Sequence, residues 1–215
     1  MGKFTLMAYH PTTILSSNTK TGCSINLPIK GHCRPTKNCA HTCYARVGRT
    51  AMPSNIRKQN WVSDYLKRPD LTQLIKECRG RIAVRLSGTG DLQTEHIPNI
   101  RRLAKICPAT QFWGMTRKIE IAKALNGRLP NLKVMVSVDS SSPEAVWKYQ
   151  GTLCWGPRLA NDQVPRADKR IRTIFPYHSH GKVVKSHNIP NDPRDCPAVR
   201  HVVSGCLACT RCWNW

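Results

Sequence analysis

The chain has 215 residues, 40% of them hydrophobic, with 34 Lys and Arg against 12 Asp and Glu and a formal net charge of +22. This length suits one large or two small domains, and the apolar content excludes disorder as the main state, since buried surface can offset the entropy of ordering. No apolar run reaches the roughly 18 residues that a membrane span needs, and MGKFTLMAYHPTT lacks the apolar centre of a signal peptide, so a soluble cytoplasmic protein with no membrane contact is expected.

Residues 1–50, rich in Thr, Pro, Gly, Asn and Lys, read as loops and short strands around a first cysteine group. From Met1 to Ser63 there are nine Lys or Arg and no acidic residue, Asp64 being the first. Such a stretch generates a positive field that no neighbouring carboxylate cancels, and a polyanion is its natural partner. Nucleic acid is therefore expected, with Lys3 to Lys58 as the footprint and Arg46, Arg49, Arg57 and Lys58 placing a bound backbone near the cysteines. The competing reading is charge kept for solubility alone.

A helix is expected over Ser54–Lys67. A second opens with Asp70 as N-cap and carries Leu71, Leu74, Ile75 and Cys78 on one face. RIAVRLS (81–87) reads as a strand ending in the loop GTGD. A helix from about Thr94 then presents Ile97, Ile100, Ala104 and Cys107 and stops at Pro108. The unit recurs as strand Gln111–Thr116, helix Ile119–Gly127, strand Leu132–Val138 and helix Glu144–Gln150, with further strands near Cys154 and Ile174. Such alternation calls for an α/β fold with a parallel sheet, either open or curled into a partial barrel. Function is then expected beyond the C-terminal strand ends, at Ser87, Gly88, Thr89, Gly90 and Asp91, at Thr116 and Arg117, and at Ser137 and Asp139. The glycines and Asp91 have a plainer reading as turn and cap residues. From about Pro176 an irregular arm leads into the last cysteines.

Eleven cysteines without a secretion signal point to metal ligation where they cluster and to core packing where they stand alone. Cys23, Cys78, Cys107 and Cys154 stand alone. Cys206, Cys209 and Cys212 form C-x2-C-x2-C, and Cys196, followed by Pro197, supplies a remote fourth ligand. That pattern suits a 4Fe-4S cluster better than zinc, which usually takes two separated C-x2-C knuckles. Trp213 and Trp215 either shield it or simply pack. Cys33, Cys39 and Cys43 form C-x5-C-x3-C. Three thiolates on a second 4Fe-4S cluster leave one iron open, as in radical S-adenosylmethionine enzymes, where that iron holds the amino and carboxyl groups of the ligand. Cys23, His32 or His41 could instead complete the coordination, and zinc is a further alternative.

Taken together, CRPTKNCAHTCYARVGR, VRLSGTGDL, QFWGMTRK, LPNLKVMVSVDSSSP and the closing C-x2-C-x2-C resemble, in order over residues 20–215, the gene-product-eighty-eight-like proteins of bacteriophages, themselves similar to radical S-adenosylmethionine proteins. The resemblance implies a phage iron-sulfur protein in the host cytoplasm. Its body would be a TIM-like partial barrel over residues 1–185, with an iron-sulfur tail over 186–215 packed on the same domain. It further implies that Cys33, Cys39 and Cys43 hold the first cluster, that Tyr44, Ser87, Gly88 and Asp91 stand where S-adenosylmethionine would bind, and that Arg117 and Asp139 face the same cavity. Two functions follow: a radical enzyme acting on or near nucleic acid, or a noncatalytic iron-sulfur or zinc protein that binds nucleic acid or a host partner.

Overall fold

A computed structural model describes residues 9–18, 21–159, 163–165, 167–176, 192–197 and 204–215. Lys3 and Lys20 of the acid-free stretch, and most of the expected irregular arm, lie outside these residues. The described elements run β1 (Ser16–Asn18), β2 (Gly22–Ser24), α1 (Lys37–His41), α2 (Pro53–Tyr65), α3 (Thr72–Cys78), β3 (Ala83–Leu86), α4 (Ile97–Ile106), β4 (Gln111–Thr116), α5 (Ile119–Leu125), β5 (Leu132–Val138), α6 (Glu144–Trp147), β6 (Leu153–Arg158), β7 (Ile171–Pro176) and α7 (Cys206–Cys209). The seven strands form one open sheet in sequence order. β1 is antiparallel to β2, and β2 through β7 are parallel, so six strands end at the same edge. The fold is thus mixed α/β with a mostly parallel sheet that does not close.

Both faces of the sheet are covered, which is why its central strands read as nearly continuous apolar runs. On one face Val84, Leu86, Phe112, Leu132, Val134, Val136, Val138, Leu153 and Trp155 pack with the helices, including Leu74, Cys78, Ile100, Leu103 and Cys107. Cys78 and Cys107 are core residues, as their helical spacing predicts. Alternate residues point to the other face, where Ala83, Trp113, Met135 and Cys154 meet Cys206, Cys212 and Trp213 of the tail. The tail therefore packs on the body, with Trp213 against Trp113 at a ring separation of 5.3 Å.

Helix starts follow local chemistry. Pro53 opens α2, where a missing N–H costs nothing, and Gln93 and His96 form a reciprocal capping box in the turn before α4. α3 begins later than its sequence suggests. Leu71 is its N-cap, and Asp70, one residue before, accepts the Thr72 N–H at 2.9 Å instead.

The loop after β3 is held by backbone bonds to the segment after β2: Leu27 N donates to Thr89 O at 3.0 Å and Gly88 N to Ile25 O at 2.9 Å. Its left-handed residues are Ser87 (φ 56°) and Gly90 (φ 69°), not Gly88. Gly88 is required for space, because a Cβ there would overlap Asn26 and Ser24. At Gly90 a Cβ would sit on the Leu27 and Pro28 carbonyls, which are backbone and cannot swing away. Gly90→Ala is therefore expected to destabilise by about 2 kcal/mol or more in denaturant titration, whereas Gly127→Ala, also left-handed but facing open space, is expected to cost about 1 kcal/mol.

Candidate functional site

The first cysteine group lies on a strap that crosses the C-terminal ends of β3, β4 and β5. Thr36 caps α1, its Oγ1 accepting the Cys39 N–H at 3.2 Å and donating to Asp139 Oδ2 at 2.5 Å. Asn38 reaches the loop after β5, its N–H donating to Ser141 Oγ at 3.1 Å and its amide to Ser140 Oγ at 2.9 Å. Tyr44 donates its hydroxyl to Gly88 O, and Arg34 pairs with Glu120 at the surface. Apart from the Thr36 cap of α1, each of these contacts spans at least 44 residues of sequence.

Under the strap lies an ion pair shielded from water. Arg117 Nη2 donates to Asp139 Oδ2 at 2.8 Å and to Gly156 O at 2.7 Å, and Asp139 is 0% exposed. Its other oxygen accepts from Ser141 N and Ser141 Oγ at 2.9 and 2.7 Å. Asp91 is likewise occupied, accepting from Thr116 Oγ1 at 2.9 Å, Arg117 N at 3.2 Å and Leu92 N at 2.8 Å. Burial nevertheless pushes its carboxyl up to about 6. Asp139 thus holds the strap down, whereas the Asp91 carboxylate ties its own loop to the end of β4. Ser87 differs: it is buried, strained in the left-handed region, and among the described residues its hydroxyl has no hydrogen-bond partner.

Cys33, Cys39 and Cys43 are all half-buried and near enough for the last two to act electrostatically on Cys33, whose thiol burial pushes up to about 12. Among the described residues no three His, Cys, Asp or Glu side chains stand in ligating geometry. The three proposed extra ligands are placed apart. Cys23 packs on the helical core near Cys78, and His41 is exposed at the end of α1. Both nitrogens of His32 are engaged, Nδ1 with Asp91 O at 3.1 Å and Nε2 with Ser63 Oγ at 3.3 Å.

His32 begins a chain that sequence reading missed. His96 Nδ1 accepts the Gln93 N–H at 3.2 Å, so its Nε2 donates to Ser63 Oγ at 3.3 Å, and Ser63 in turn donates to His32 Nε2. His32 then donates from Nδ1 to Asp91 O. Every partner is satisfied only with both imidazoles neutral, and burial lowers the pKa of each, that of His96 to about 4. Lys118 was missed as well. It is buried beside Asp91, donates from Nζ to Leu92 O at 2.8 Å, and burial lowers its pKa. Nothing in the sequence separates Lys118 from the exposed lysines around it.

The second group gathers on the opposite sheet face. Cys206 and Cys212 are buried, and Cys212 feels both Cys196 and Cys154. Cys196 is fixed at the sheet edge by its N–H bond to Ile174 O at 2.7 Å, and Arg211 ties the tail back to Asp195 O at 3.0 Å. Cys209 is only half-buried. Cys154, a solitary cysteine by sequence, is fully buried in the core as expected and packs beside this group, because alternation along β6 turns it away from the helices and onto the tail. Around it are three buried polar atoms without partners among the described residues, Arg85 Nε, Trp113 Nε1 and Thr173 Oγ1.

The predicted nucleic-acid residues divide. Arg46 and Arg49 are exposed on short 3-10 turns that follow the strap, and Arg57 is exposed on α2. Lys58 is half-buried instead, bonding Leu15 O at 3.1 Å and Thr13 Oγ1 at 3.4 Å, so it anchors the chain before β1.

A family model named Gene product 88 matches residues 9–214. The chain belongs to that phage protein family. Comparison with curated proteins and with solved structures returned no match. The match to Gene product 88 spans the strap, the strand ends and the tail, so all three are part of one family architecture.

Two outcomes follow. Asp139→Ala leaves the largely buried Arg117 guanidinium without its carboxylate partner and frees the strap, with an expected loss of about 3 kcal/mol or more and faster alkylation of Cys39 and Cys43 by a thiol reagent. For His96, faced by His32, Lys67, Glu95 and Ser63, the folded pKa of about 4 lies below the ordinary 6.5, so the unfolded chain binds the proton more readily between them. The stability that depends on neutral His96 is complete above about pH 6.5 and is lost as pH falls toward 4, by up to about 3 kcal/mol, and His96→Gln flattens that slope in denaturant titrations across this range.

Proposed function

We propose that this Gene product 88 protein is an iron-sulfur protein whose first cluster, held by Cys33, Cys39 and Cys43, takes S-adenosylmethionine at the C-terminal ends of the strands and acts on or near nucleic acid. The observation that carries this reading is the placement of the three-cysteine strap over three adjacent parallel strand ends, where an α/β sheet offers ligands its loops. The donor set suits the group: three half-buried thiols on one strap, two of them near enough to act electrostatically on Cys33, with His32 already committed elsewhere and Cys23 in the core. When bound, such a cluster supplies one electron to the sulfonium of the ligand. The chain's own part would be to orient that ligand through Ser87 Oγ, with Gly88 and Tyr44 bonded to each other beside it, while Arg117 and Asp139 hold the strap and exclude water. In this reading the open sheet is the wall of a partial barrel.

The tail would hold a second 4Fe-4S cluster. Cys196, Cys206, Cys209 and Cys212 are its proposed ligands, with Cys154 beneath them. The fit rests on the unpartnered Arg85 Nε, Trp113 Nε1 and Thr173 Oγ1, donors of the kind that hydrogen-bond cluster sulfides. The basic surface near the strap, with Arg46 and Arg49 exposed, supports a polyanion partner.

A noncatalytic iron-sulfur or zinc protein is the second reading, favoured by one observation: both carboxylates of the strand ends are consumed by protein donors, Asp139 in holding the strap and Asp91 in tying its own loop to the end of β4. Anaerobic purification with iron and sulfide counts separates iron from zinc. The spectrum of the reduced first cluster on adding S-adenosylmethionine separates the two iron readings, a change being expected and no change leaving the structural role. In the same assay Cys33→Ser and Cys209→Ser should each lower iron and sulfide, with loss of tail stability in the second, whereas Cys78→Ala should leave both counts intact. Undiminished iron in either serine variant removes that cysteine's assignment.

A further inference from the structure

The described residues include a cavity of about 300 Å³ that neither cysteine group uses. It is lined by Tyr9, His10, Arg57, Asn60, Trp61 and Arg68. Trp61 is its floor: Tyr65 stacks on it at 5.0 Å and 18°, His10 meets its edge at 5.9 Å, and it packs partly on the core. The Arg68 guanidinium stands 5.5 Å from the Trp61 ring centre, and Tyr9 is 41% exposed at the rim. Among the described residues no carboxylate lines the cavity, and two guanidiniums and an amide do.

We propose that this cavity binds an unpaired nucleobase of a single-stranded nucleic acid, with Arg57 and Arg68 pairing the flanking phosphates. The proposal rests on the reading of the basic surface as polyanion-binding and names the form of polyanion it takes. Aromatic faces bind any base by stacking, guanidinium planes stack as well as pair with phosphate, and both belong to sequence-tolerant recognition of single strands. A base inside a duplex cannot enter such a cavity without leaving its stack. A mixed site with two cations, Arg57 exposed and Arg68 lying over the Trp61 and Tyr65 rings, and no acid among its described lining suits an anion that carries rings, and is poorly suited to an apolar peptide or an acyl chain. Asn60 adds a side-chain amide able to donate to or accept from a base edge.

The test is fluorescence anisotropy of a labelled short oligothymidylate and of a labelled duplex of equal length, on the full chain across a salt series. Preference for the single strand is expected. Tyr9→Ala and Trp61→Leu should each weaken single-strand binding about 5- to 100-fold, the worth of one base stack, with Trp61→Phe retaining most of it and duplex binding unchanged. Arg57→Ala with Arg68→Ala should reduce the log-log salt slope by about 1.4 for the single strand, two phosphates' worth. Trp61 touches the core, so Tyr9→Ala, at the rim, decides if Trp61→Leu melts early. Salt-dependent binding of both nucleic acids that Tyr9→Ala and Trp61→Phe leave unchanged, with no single-strand preference, overturns the cavity while the general polyanion reading stands. No binding of either at low salt overturns both.

Discussion

A carboxylate with no exposure to water must find all its partners within the protein, and Asp139 finds them in three different parts of the chain. Arg117 comes from the end of β4, Ser141 from its own loop, and Thr36 from the strap about a hundred residues earlier. The pair is buried, so losing any partner leaves a charge or a lone pair without water to replace it. This one constraint fixes the height of the strap above the sheet, and with it the positions of Cys33, Cys39 and Cys43. Thr36 transmits it directly, since the same hydroxyl that bonds Asp139 also caps the helix bearing Cys39.

The opposite sheet face obeys a different rule. There the tail is held by apolar contact, Trp213 on Trp113 and Cys206 and Cys212 beside Met135 and Cys154, together with a few bonds such as Arg211 to Asp195 O, and among the described residues Arg85 Nε, Trp113 Nε1 and Thr173 Oγ1 lack partners. One end of the sheet is a satisfied network and one face is a layer with donors left over. The contrast is in what each does: a satisfied network positions a loop, whereas the tail layer is positioned mainly by apolar packing.

Much of the architecture was legible because period-2 and period-3.6 patterns report burial directly. Gln111–Thr116 and Leu132–Val138 have the limits their sequence predicts, and Cys78 and Cys107 are buried where helical spacing places them. The roles of the strand-end residues were less legible. Asp91 and Asp139 read as ligand-facing groups, yet their oxygens are occupied by protein donors. A carboxylate that anchors a strap has the same sequence signature as one that awaits a ligand.

Sequence alone determined the order of elements, the two cysteine groupings and the core roles of two lone cysteines, because each depends on neighbours within a few residues. Tertiary structure alone decided that Cys154 joins the tail, that His96, Ser63 and His32 form one chain of bonds, that Lys118 is buried, and that Trp61 floors a basic cavity. Those facts depend on which strand face meets which distant segment, and on pairings across tens of residues. The sheet brings these residues together through the register of its strands, which local spacing does not encode.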